Sequence, residues 1–118
     1  MPDSLPVSAN PDLATLHSQL IKLVGTLDNA VGTATTMSQV IALLDEISDV
    51  NARVNMVGRQ IFTQQTAAIT NAAAKVTEAL PDIEAAISDL DRIQDFINGM
   101  TKFLMLVDKV LAVAKVVI

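Results

Sequence analysis

The sequence has no cysteine, no tryptophan and no tyrosine, and His17 is its only histidine. Without cysteine there are no disulfides, no thiol nucleophile and no thiolate metal site. A single histidine excludes metal centres built on two imidazoles, including those that take one Glu-x-x-His pair from each half of a bundle. A Ser-His-Asp triad would have to use His17, and no nucleophile elbow accompanies it. His17 follows Leu16 and reads as a partly buried structural residue. The four glycines are isolated, so no phosphate-binding loop is present. These absences predict a protein that is not an enzyme and that uses no cofactor and no metal.

Positive charge is also scarce. Eight Lys and Arg stand against thirteen Asp and Glu, for a net charge of -5, and the cations are scattered. Nucleic acid, which needs clustered cations along its phosphates, is excluded as a partner. Long apolar runs are missing too. Spanning a bilayer takes roughly 20 apolar residues with few charges. The uncharged stretches Asn29–Leu44 and Gln60–Ala74 are rich in Thr, Gln, Ser and Asn, and Phe103–Ile118 is interrupted by Asp108, Lys109 and Lys115. The opening residues Met1–Pro6 carry neither the basic nor the apolar region of a secretory signal. The expected location is cytoplasmic, or exported without a classical signal peptide.

What is abundant is aliphatic. Hydrophobic residues make up 51% of the chain against 3% aromatic, with a mean hydropathy of +0.44. A core of Ala, Val, Ile and Leu suits helices packed along their lengths better than a sandwich or barrel. The expected fold is all-α, a helical hairpin or three-helix bundle with coiled-coil-like packing, completed by oligomerisation. Residues 1–10 read as an extended arm and 11–118 as one helical domain, with helices over about 11–31, 36–80 and 82–117.

The first helix opens at Asn10-Pro11-Asp12, with Asn as cap, Pro in the first turn and an acid near the positive end of the dipole. Leu13, Leu16, Leu20, Leu23, Leu27 and Val31 then recur at spacings of three and four. Thr36 and Gln39 form a capping-box pair for the next helix. Met37, Val40, Leu44, Ile47, Val54 and Ile61 predict a seam that continues to Leu80. One helix of that length would run roughly 65–70 Å, with its only weak points at Gly58 and at Gln64–Gln65. Pro81 predicts a boundary, because proline disfavours helical geometry in the residue before it.

Beyond Pro81, Ile83, Ile87, Leu90, Ile97, Met100, Leu104, Val107, Leu111, Ala114 and Ile118 hold one face. A second apolar line, Phe96, Phe103, Leu106, Val110, Val113 and Val117, leaves more than half the helix circumference apolar. That line is the expected interaction, oligomer or membrane face. Asn51, between Ile47 and Val54, is a candidate register-setting polar residue of a seam. Asp45, Glu46 and Asp49 read as a solvated outer face, with Asp49 and Arg53 paired at i,i+4. The expected function is a helical assembly or interaction protein, as a homo-oligomer or on a protein partner. One alternative is a membrane-active helical protein using Phe103–Ile118, and another is a small helical chaperone, antitoxin or inhibitor.

Overall fold

A computed structural model describes residues 9–116 of the chain. The described residues form four helices: α1 (Pro11–Val31), α2 (Met37–Gln60), α3 (Ala67–Ile87) and α4 (Ile93–Val116). Residues 1–8 of the expected arm, and Val117 and Ile118, lie outside them. The helices have 21, 24, 21 and 24 residues, or roughly 32–36 Å each at 1.5 Å per residue. The lengths therefore match, and the unequal helices expected from the sequence are corrected.

That correction has two causes. The expected 36–80 helix is broken over residues 61–66, beyond Gly58. Thr66 caps α3 with its hydroxyl, which accepts from the Ile69 amide at 3.2 Å. Pro81 lies inside α3 and marks no boundary. The cost of an interior proline, about 3 kcal/mol, is offset by burial on both sides of it, of Val76 before and Ile83 and Ile87 after. The carbonyl that Pro81 leaves without an amide belongs to Thr77, an exposed residue that water reaches. The true turn lies at residues 88–92, where Ser88 Oγ donates to the Ala85 carbonyl at 2.7 Å.

The arrangement is two helical hairpins, α1–α2 and α3–α4, laid side by side. α1 touches α2 and α3, and α4 touches α3 and α2, while the diagonal pairs do not meet. The 61–66 connection therefore crosses the end of the bundle. Asn10 holds it there. Its side chain accepts from the Asp12 and Leu13 amides, capping α1, while Nδ2 donates to the Thr63 carbonyl and Gln65 Oε1, each at 3.0 Å. Asp12 then accepts from Gln65 and Thr70, bringing the start of α3 into the same cluster.

Gln39 performs the matching task at the far end. Its amide donates to Thr36 Oγ1, Oε1 accepts from the Thr35 amide at 2.7 Å, and Nε2 donates to the Leu90 carbonyl at 3.2 Å. One side chain thus closes the α1–α2 turn and ties it to the α3–α4 turn. Between these polar ends the core is apolar, mostly aliphatic with two phenylalanines. It is built on Leu13, Leu16, Leu20, Leu23 and Leu27 of α1, Val50 and Val57 of α2, Ile69 and Val76 of α3, and Phe96, Phe103 and Val107 of α4.

Candidate interaction surface and polar seam

The apolar line expected to meet a partner is spent inside the chain. Phe96, Phe103 and Val110 are buried, and Leu106 and Val113 are half-buried. Val117 lies outside the described residues. α4 needs covering on two sides, as its composition demands, but its own neighbours α3 and α2 supply that cover. The same holds for the stretch expected to meet lipid: Phe103, Leu104, Val107, Val110, Leu111 and Ala114 all pack into the core. No helix among the described residues is long and apolar enough to cross a membrane.

Large apolar side chains are exposed singly at Ile21 on α1, Phe62 in the 61–66 connection and Met105 on α4, whereas α2 gathers several of them. Met37, Ile41 and Leu44 are 71%, 53% and 51% exposed. At spacings of four and three they stack on one side of the helix. Two of them, Met37 and Leu44, belong to the seam expected to face the core, so that seam is corrected. Ile47, Val54 and Ile61 of the same line are only half-buried, while Leu43, Val50 and Val57 are fully covered. The helix is turned by about one residue relative to the expectation, roughly 100°. Asn51, two turns beyond Leu44, is exposed on the outer line and takes no part in a seam within the chain.

The turn of α2 brings a polar line inward. Gln39, Glu46, Arg53 and Gln60 lie seven residues apart, every one buried or half-buried. A heptad spacing drifts only about 20° per repeat on an α-helix, so all four look the same way, toward α4. Arg53 shows the direction: Nε and Nη2 bind both carboxylate oxygens of Asp108 on α4 at 3.0 Å. Gln39 reaches Leu90 at the α3–α4 turn. Gln60 Oε1 is buried without a partner among the described residues.

Glu46, expected on a solvated face, is 8% exposed, and that expectation is corrected. Asp45 and Asp49 remain outside. Burial pushes the Glu46 carboxyl up to about 7, with the negative charges of Asp49 and Asp45 adding to the shift and Arg53 opposing it. The cation on its line is already committed, since Asp108 occupies the Arg53 guanidinium. Sequence spacing does hold the clue: Gln39, Glu46, Arg53 and Gln60 follow a heptad as regular as the apolar one beside it.

Among the described residues no cluster of three or more His, Asp or Glu side chains is placed to hold a metal ion. His17 is half-buried on α1, where its ring lies 3.5 Å from the point a Cβ at Gly58 would occupy. The acids of the α3–α4 turn stay at the surface, with Asp89 3.6 Å from Arg92. The arrangement offers surface and packing chemistry: an exposed aliphatic stripe on α2 and a polar seam behind it. Compared with known protein families, curated proteins and solved structures, the chain matches none.

Proposed function

We propose that this protein is a non-enzymatic helical interaction protein that self-associates, with a second copy of the chain docking on the α2 stripe Met37–Ile41–Leu44. The observation that carries the reading is the stacking of three large, half- to mostly exposed aliphatic side chains on one helix face. Apolar side chains gathered in this way lose hydration cost when covered, at about 25 cal/mol per Å². A two-fold axis across the stripe sets α2 antiparallel to its copy, so that Met37 of one meets the Leu44 region of the other and the same patch is covered on both.

The stripe is short. It gives way to Ser48, Asn51 and Asn55 along the same line, which limits the contact to one end of α2. Interfaces below about 1,200 Å² belong to weak, transient pairs, so the expected dimer depends on concentration. Asn51 sits at the rim of this contact, where a polar residue fixes how far two copies slide past each other.

Sedimentation velocity over a range from low to high micromolar concentration tests the reading. The expected result is a mass that rises with concentration in the native chain and stays monomeric in a triple Met37→Gln, Ile41→Gln, Leu44→Gln variant of unchanged helix content. A native chain that remains monomeric at high micromolar concentration overturns it.

A further inference from the structure

We propose that the outer face shared by α2 and α4 is a second self-contact, on which another copy of the chain docks antiparallel, its basic end over the acidic end of the first. α2 and α4 run in the same direction, since Gln39 meets Leu90 near one end and Arg53 meets Asp108 further along. Their charges are sorted along that direction. On α2 the exposed acids Asp45 and Asp49 come first, and the only charged residues after them are Arg53 and Arg59. On α4 nothing acidic follows Asp108, and Lys109 and Lys115 are exposed. Lys102, the cation out of this order, lies on the other side of α4, in a groove with Asp82 and Ile83 of α3. Asp95, seven residues before it, shares that side.

The middle of the face is suited to close approach. Met56 of α2 and Ala112 of α4 line one groove with Asp108 and Lys115, and exposed Ala52 lies one turn before Met56. Met56 is 45% exposed and Met105 is 65% exposed. Methionine is flexible and polarisable, and adapts to whatever apolar surface it meets. The charges at this level, Arg53 and Asp108, already neutralise each other, with both carboxylate oxygens bound at 3.0 Å.

This order of charge names a second copy as the occupant. The macrodipoles of two parallel helices favour acids near their starts and cations near their ends. The same order makes the face complementary to itself when one copy is reversed. A two-fold axis crossing both helices level with Ala52 sets Asp45 opposite Arg59 of the other copy, seven residues to either side of the axis. It brings Lys115 of that copy over the same acidic end. The contact goes beyond the α2 stripe and uses none of Met37, Ile41 and Leu44. It is small, with charges at its rim, and such interfaces are weak and transient. The pair therefore forms at about 1 mM and low salt, above the concentrations at which the stripe pair is read.

The chain has no cysteine, so a spin label attaches only at an introduced one, here at exposed Gln94 near the start of α4. Spin-labelled chain is mixed with isotope-labelled chain that bears no spin label, both carrying Met37→Gln, Ile41→Gln and Leu44→Gln to remove the stripe contact. At about 1 mM protein and about 20 mM salt, the expected result is loss of amide signal around Arg59 and Lys115 of the isotope-labelled copy, while α1 and α3 are unaffected. The signal recovers at about 300 mM salt. Asp45→Lys with Asp49→Lys, or Arg59→Glu with Lys115→Glu, each abolishes the broadening, and mixing the two reversed chains restores it. Full signal at low salt, broadening spread evenly over the surface, broadening that survives either reversal, or a mixture no more broadened than the reversed chains alone each overturn the contact. The stripe is absent from every sample, so its own sedimentation test stands apart from these outcomes.

Discussion

Asn10 and Thr63, 53 positions apart in the chain, are joined by a 3.0 Å hydrogen bond from Asn10 Nδ2 to the Thr63 carbonyl. The same Asn10 side chain receives the Asp12 and Leu13 amides on its oxygen. One residue therefore starts a helix with one end of its amide and fastens the bundle-crossing connection with the other. The two roles separate chemically, because an Asp side chain keeps the acceptor and loses the donor.

Asn10→Asp is expected to retain the α1 cap but lose both Nδ2 bonds, costing about 1–2 kcal/mol by leaving the Thr63 carbonyl short of a partner. Asn10→Ala loses the cap as well, about 1 kcal/mol more. Urea unfolding of both variants checks the order, with Asn10→Ala the less stable.

Glu46→Leu is expected to stabilise the protein at pH 8 by about 1 kcal/mol, a figure discounted for the water that partly reaches the carboxyl. The sign follows from the raised value of about 7. The folded state holds the proton more tightly than the unfolded chain, so the contribution is complete below pH 4.5 and lost as pH rises through 7. Urea midpoints of the native chain should fall from pH 5 to 8, and those of Glu46→Leu should lack that component.

Gly25→Ala is expected to raise stability by about 0.5–1 kcal/mol, since Gly25 lies within α1 and a Cβ there meets nothing within 4 Å. Gly99→Ala gains less or nothing, because its Cβ would press on Ile83 Cδ1 at 3.3 Å. Thermal midpoints of the two single variants give the comparison.

Asn51→Leu is expected to leave the unfolding free energy of the monomer within about 0.5 kcal/mol of the native value, as an exposed helix position should. It should tighten self-association, because it prolongs the Met37–Ile41–Leu44 stripe by two turns. Sedimentation at matched concentrations reads the second effect and dilute thermal unfolding the first.

The helical character of the chain was legible without a structure, and so were particular local signals. Asn10-Pro11-Asp12 spells a helix start, Thr36 and Gln39 spell another, and the leucines of α1 recur at the spacing of a buried face. The expected partner face on α4 was legible as apolar but misplaced in role. Phe96, Phe103 and Val110 look like surplus when α4 is set in a hairpin, and become core when α4 has neighbours on two sides. Glu46 was read as solvated from its acidic neighbours, although its heptad companions Gln39, Arg53 and Gln60 pointed inward.

Composition and period by themselves determined that this chain is helical and where α1 and α2 begin, because caps and the spacing of leucines act over four residues or fewer. Only the tertiary structure decided that α3 runs through Pro81, that the chain turns at residues 61–66 and 88–92, and that α2 buries its Glu46 line and exposes Met37, Ile41 and Leu44. Those outcomes depend on residues 50 and more positions away. The Asn10–Thr63 and Gln39–Leu90 bonds, the Arg53–Asp108 pair and the burial of Ile83 and Ile87 set them, and no local pattern carries that free energy.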